Sequence, residues 1–190
     1  MKMTVVRTFA ACCLLVLFSL SSCGQASVRT TKYGINEKAK LEKIKIPPVV
    51  IKNFYDQYPA PVDEEWYSYP AVDIQYSWYD YNPYAFTVDP ETYVVAFVKD
   101  NVPYKVVYGK NGEKISTHRI LNTDLPSAIT KRLSQGEYKD WTVGKDKEEI
   151  FRDKDTDQLK VYKLDVEKGT GKHTLYFQAD GKLLKDRKVS

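Results

Sequence analysis

Cysteine and histidine are nearly missing from this chain: three Cys and two His stand among 190 residues. That scarcity limits thiol, imidazole and metal chemistry, since a zinc site takes three or four ligands drawn largely from those two types. His118 and His173 fall in predicted strands of different halves with no second nitrogen or thiolate at ligand spacing, and both read as surface or edge residues. A Gly-rich phosphate loop and a Gly-x-Ser-x-Gly nucleophile setting are also lacking, and no cofactor or metal is implied. Nor is there a surplus of one charge: Lys+Arg 29 against Asp+Glu 25 leaves no case for a nucleic-acid partner. Asp153, Asp155 and Asp157 alternate as in a Ca²⁺ loop, but Gln158 stands where the sharp turn needs Gly and Leu164 where a bidentate Glu belongs. A solvated hairpin turn is the better reading of that stretch.

Long apolar runs are scarce too. The one candidate, Phe9 to Leu20, follows a basic start at Lys2 and Arg7 and is shorter than the ~20 residues a bilayer core requires. It reads as a secretory signal over residues 1–22. The ending Leu20-Ser21-Ser22-Cys23 resembles the lipobox of bacterial lipoproteins, in which Cys23 is acylated and becomes the first residue. Cys12 and Cys13 lie in the removed run, so the 168-residue remainder keeps Cys23 alone and has no disulfide. Its charge falls to +2 and its stability must come from a core. Gly24 and Gln25 after the Cys carry no acidic retention signal, so by that resemblance the address is an outer-membrane lipoprotein facing the periplasm. Residues 23–45 then form the lipidated Cys and a small, charged tether.

What is present is said twice. Pro47-Pro48 leads into Ile51, Phe54, Tyr55 and Tyr58, which fall on one face of a helix. Pro126 sits in the first turn of a second helix with Leu125, Ala128, Ile129 and Leu133 on one face; aligning Pro48 with Pro126 pairs Ile51 with Ile129 and Tyr55 with Leu133. Each helix is followed by an acidic residue and a tryptophan, Glu65-Trp66 and Asp140-Trp141, and then by β-rich sequence. Asn111-Gly112 and Asp180-Gly181 mark a hairpin near the end of each half, because such turns need positive φ. From proline to tryptophan the two halves span 18 and 15 residues, and from tryptophan to hairpin glycine 46 and 40, so the first half carries an insertion. Strands are predicted at about 64–81, 91–98, 103–109 and 113–121, then 139–152, 158–166, 172–179 and 182–189. A helix over one face of an antiparallel sheet makes this an α+β chain.

These Pro-led helices, the aromatics Trp66 and Trp141, and the two hairpin turns together resemble the PepSY-like family of small exported bacterial proteins, also labelled β-lactamase-inhibitor-like. The likeness covers about 46–190. It implies a tandem repeat of helix plus four-stranded antiparallel sheet, at 46–122 and 123–190, whose sheets can join into one concave eight-stranded surface as in proteinaceous β-lactamase inhibitors.

Nine aromatics crowd into residues 66–86: Trp66, Tyr67, Tyr69, Tyr76, Trp78, Tyr79, Tyr81, Tyr84 and Phe86. Tyr76, Trp78, Tyr79 and Tyr81 do not fit one alternating face, so some of these rings are expected to point outward. Exposed Tyr and Trp supply contact area at low entropy cost, although rings also serve simply as strand residues. The resulting expectation is a non-enzymatic, lipid-anchored module that holds a protein or peptide partner, inhibition of a hydrolase being one such activity. Glycan or cell-envelope ligand binding by the same rings is the alternative. Paired carboxylates at Asp63, Glu64 and Glu65 are contiguous, and strand alternation sends neighbours to opposite faces, which argues against glycosidase-type chemistry. Lys182, Lys185, Arg187 and Lys188 make the last strand basic and read as a solvated face that blunts an edge.

Overall fold

A computed structural model describes residues 32–35, 37–70, 78–80, 87–152 and 160–189. Cys23, Tyr76, Tyr81, Tyr84, Phe86 and the 153–157 turn lie outside the described residues. The chain runs through β1 (Lys40–Leu41), α1 (Pro48–Gln57), β2 (Val62–Tyr69), β3 (Thr92–Lys99), β4 (Val102–Gly109) and β5 (Lys114–Ile120). It continues through α2 (Ser127–Gln135), β6 (Thr142–Phe151), β7 (Lys160–Lys168), β8 (Gly171–Gln178) and β9 (Leu183–Lys188). Among the described residues, these nine strands form one antiparallel sheet in chain order. The two expected sheets therefore merge, through β5 and β6 at Thr117↔Phe151 and His118↔Ile150, and the short β1 makes the count nine rather than eight.

Each helix starts on a proline carbonyl. Pro47 O accepts the N–H groups of Val50 and Ile51 at 2.9 and 3.2 Å, and Pro126 O those of Ile129 and Thr130 at 2.9 and 3.1 Å. The buried stripes follow, Val50 and Phe54 in α1, Ile129 and Leu133 in α2. The alignment read from sequence is thus off by one: Pro47, not Pro48, matches Pro126, and Val50 and Phe54 take the places given to Ile51 and Tyr55. Two adjacent prolines, each tolerated where a helix begins, conceal the frame.

The hairpin glycines lean on these same helix starts. Gly112 and Gly181 have φ of 83° and 85°. Asn111 and Asp180 are not left-handed; their side chains accept the N–H of Glu113 at 3.0 Å and of Lys182 at 2.9 Å. One positive φ per turn therefore suffices. A Cβ on Gly112 would lie 2.8 Å from side-chain atoms of Val49 and Asn53, and one on Gly181 2.7 Å from the Ala128 carbonyl oxygen. Trp66 and Trp141 do not correspond: Trp66 lies inside β2 opposite Val95, whereas Trp141 precedes β6. Register shifts near the start of both strands, at Val62/Glu65 and Val143/Lys147, break the simple count from helix to tryptophan.

Pleat alternation carried through the register puts both helices on one face of the sheet. Beneath α1 lie Trp66, Val95, Phe97, Val106 and Tyr108; beneath α2 lie Tyr162, Leu164, Leu175 and Phe177. The opposite face of the first half is covered by residues expected to be tether. Ile35 and Ala39, both fully buried, pack on Tyr67, Tyr69, Val94 and Val107. Tyr33 OH donates to the Asp63 carbonyl at 2.9 Å, and Lys40 and Lys43 pair with Glu65 and Glu64 at 3.1 and 2.7 Å. The described residues 32–35 and 37–45 of the segment are thus part of the fold. Its few apolar residues make no helical stripe, so only the sheet that receives them identifies them as core.

Candidate functional site on the face opposite the helices

Over the second half, the cover on that opposite face is supplied by the first half's insertion. Trp78 and Tyr79 pack with Leu184 against Ile150, Val161 and Tyr176. The Tyr79 and Tyr176 rings stand 5.3 Å apart, and Trp78 meets Tyr79 edge to face at 5.5 Å. Asp80 follows and is almost fully buried, with 7% of its surface exposed. Its carboxylate accepts from the Tyr176 hydroxyl, from Lys185 Nζ at 2.5 Å and from Arg187 Nη1 at 2.7 Å. Burial and the neighbouring Asp80 carboxylate raise the Tyr176 phenol far above its ordinary pKa, so it stays protonated and donates. The reading of Lys185 and Arg187 as a solvated face is corrected: both turn inward to neutralise a buried carboxylate contributed from far away in the chain.

Three of the rings singled out from sequence are core. Trp66 is 3% exposed, and Tyr67 and Tyr69 are fully buried. Alternation in β2 sends Trp66 under α1, and Tyr67 and Tyr69 under the segment that begins at residue 32. Both faces of β2 are covered, so neither parity leaves a ring free. Among the described residues the expected patch reduces to Trp78 and Tyr79, each half-buried.

Between the two covers, the sheet carries a buried charged group that the sequence reading missed. His118, expected at the surface, is 2% exposed on β5. Its Nε2 lies 3.2 Å from Ser116 Oγ and its Nδ1 3.4 Å from Glu148 Oε2. Glu148 also pairs with Lys105 at 3.0 Å and Lys163 at 3.2 Å. Burial lowers the His118 pKa by more than Glu148 raises it, so the ring is neutral at pH 7. Burial works against the Glu148 charge, but Lys105, Lys163 and His118 together outweigh it and hold this carboxyl well below the usual range. Ser116, His118 and Glu148 are connected in the order of a hydrolytic triad. Ser116 is nevertheless fully buried on a central strand, where its hydroxyl meets no substrate. The signal lies in the register: Lys105, Ser116, His118, Glu148 and Lys163, on β4 to β7, share one face.

The remaining polar candidates are tied into the fold. Glu64 bonds Lys43 and the Tyr55 hydroxyl, and Glu65 bonds Lys40 and the Tyr67 hydroxyl. His173 Nδ1 lies 2.6 Å from Asp186, which also accepts from the Tyr138 hydroxyl, and the Trp141 ring stands 5.1 Å from the imidazole. Among the described residues no three His, Cys, Asp or Glu come together as a metal would require, and no helix is long and apolar enough to cross a membrane.

No protein-family model matches the chain, and no curated protein matches it. Solved structures do. A DUF2874 family protein from Bacteroides ovatus superposes with a TM-score of 0.57 at 19% identity, over 76% of this chain and 89% of that one. A BLIP-like protein from Bacteroides fragilis gives 0.54 at 20% identity, over 76% and 86%. A protein from Bacteroides eggerthii, provisionally described as periplasmic, gives 0.57 at 16% identity, over 76% and 89%. At these identities the likeness is one of fold, shared with DUF2874 family and BLIP-like proteins.

Proposed function

We propose that this chain is a non-enzymatic, protein-binding module of the bacterial cell envelope, acylated at Cys23, held at the outer membrane on its periplasmic side, and built from tandem copies of one helix-and-four-strand unit. Its contact region is the aromatic insertion, of which Trp78 and Tyr79 lie on the face opposite the helices. The observation that carries this reading is the anchoring of Trp78 and Tyr79 by Asp80: a buried ion pair fixes two half-exposed rings on the sheet in one arrangement, which lowers the entropy cost of presenting them to a partner. The fold shared with a BLIP-like protein and with one described as periplasmic supports a binding role in that compartment. A hydrolase is one class of partner this reading includes.

The test is in-cell crosslinking of the full chain followed by recovery of bound proteins, repeated for Trp78→Ala and Tyr79→Ala. The expected result is one recurrent partner that both variants lose while their melting curves keep a single cooperative transition. Unchanged recovery from both variants would overturn the assignment of the insertion. Quenching of tryptophan fluorescence by glycans or peptidoglycan fragments, with no protein recovered, would favour the glycan alternative instead.

A further inference from the structure

A second surface lies on the helix side of the sheet. One side of α2, the loops before and after it and the start of β6 line an open groove of about 800 Å³. Its apolar lining includes Leu125, Tyr138, Trp141 and Val143, the last 37% exposed although it is a strand residue. Trp141 is held as a wall: its ring meets Tyr138 edge to face at 5.3 Å, and Gly171 lets it lie close over the β7–β8 turn, where a Cβ would stand 3.1 Å from the indole. Behind it, Tyr138 is fixed by Asp186. The groove is therefore preformed rather than a gap between mobile side chains.

Its charge is one-sided. Lys131, Lys139 and Lys147 line it, against a single carboxylate, Asp124. Nearby lysines are matched, Lys168 by Asp140 at 3.6 Å and Lys172 by Asp165 at 3.4 Å. Among the described residues, the three groove lysines make no ion pair. An apolar slot bordered by unmatched ammonium groups fits a chain that offers a large apolar side chain flanked by carboxylates. Its rings and aliphatic side chains would take the former, and the lysines would steer and orient the latter.

We infer that this groove binds an acidic segment of a protein partner through a large apolar anchor residue. The surface is separate from Trp78 and Tyr79, which lie on the opposite side of the sheet, and does not depend on the reading given to them.

Fluorescence polarisation on the detergent-solubilised full chain tests it, using a short fluorescein-labelled peptide of Glu, Leu and Phe. Controls are the same peptide with Lys for Glu, the same with Ala for Leu and Phe, and anionic phosphatidylglycerol vesicles. The acidic apolar peptide is expected to bind at least about tenfold more tightly than either control peptide, with affinity falling as salt rises. Joint K131E, K139E and K147E substitution is expected to reverse the preference toward the Lys peptide, and joint K131Q, K139Q and K147Q substitution to weaken the acidic peptide by about tenfold. Equal binding of the Glu and Lys peptides, no peptide binding, insensitivity to both triple variants, or binding of the vesicles in place of the peptide would each overturn it. Trp78→Ala and Tyr79→Ala are expected to leave the peptide affinity unchanged, so failure at one surface is separable from failure at the other.

Discussion

The two halves of the sheet are covered alike on one face and differently on the other. Under the helices, each half has the same plan: a proline carbonyl starts the helix, a hairpin glycine leans on its first turn, and a buried stripe meets alternate strand residues. On the opposite face the first half is closed by residues that precede it and the second by residues inserted into the first. The common plan thus resides in the helix side, and the individuality of the chain in two added covers. The helix side is where the two halves agree, and the two covers are where they differ.

The comparison is broken most severely in the helix-side cores. Phe54 packs its ring against Trp66 and Phe97 at 5.2 and 5.1 Å, and the smaller Leu133 holds the equivalent place in α2, in a cluster with Ile129, Leu164, Leu175 and Phe177. Phe54→Ala is expected to cost about 4 kcal/mol and Leu133→Ala about 3 kcal/mol in urea unfolding. Equal or reversed losses would show that the aromatic core is not the stronger of the two.

Next comes the cover over the second half. Asp80→Ala leaves the Tyr176 hydroxyl, Lys185 and Arg187 without their shared acceptor, at a cost of about 2 kcal/mol, since the two cations remain partly exposed. A red shift in tryptophan emission is expected as Trp78 lifts away, with the first half unaffected in hydrogen exchange. An unshifted spectrum would mean that ring packing alone holds the insertion.

The hairpins sharpen the same comparison. Gly181→Ala meets backbone of α2 and is expected to cost about 2 kcal/mol. Gly112→Ala meets side-chain ends of Val49 and Asn53 that can shift, and is expected to cost about 1 kcal/mol. Thermal melts of the two variants, read side by side, check the order.

Acidification acts where the halves join and has the smallest effect near neutrality. The lowered His118 pKa means that the unfolded chain binds more protons than the folded one just below pH 6.5, so stability falls as pH drops from there. Glu148, also lowered, adds a stabilising contribution that is complete above about pH 4.5 and is lost as pH falls below it. Urea midpoints measured across this range should decline in two stages, and His118→Gln should remove the first. A profile unchanged by that substitution would place the sensitivity elsewhere.

Much of the scaffold was legible because it is written locally. Alternation, turn residues and Pro-led helices located both helices and eight of the nine strands, missing by a residue or two at most ends. The one-residue misframing at Pro47-Pro48 and the false match of Trp66 with Trp141 arose where local signals were degenerate or a register shift intervened. The opposite face was much less legible. Ile35 and Ala39 bury through a sheet formed by later residues, and Asp80 finds its partners about a hundred positions on. His118, Glu148, Lys105 and Lys163 look like a polar strand face until their register shows that they satisfy one another. Of the candidate rings, Trp66, Tyr67 and Tyr69 were misread because β2 is covered on both sides, which a single strand cannot announce.

The strict chain order of the sheet also bears on how the molecule comes into being. Each strand can join the growing edge as soon as it emerges, without waiting for a distant partner, and such nearest-neighbour assembly involves little loop-closure entropy and favours rapid folding. The bonds from Asp80 to Tyr176, Lys185 and Arg187 are the exception, spanning 96 to 107 positions. The two ion pairs can form only after β9 is in place, so the full seating of Asp80 marks completion of the chain, and any aborted or truncated product that lacks β9 leaves the Asp80 carboxylate with the Tyr176 hydroxyl and without either cation.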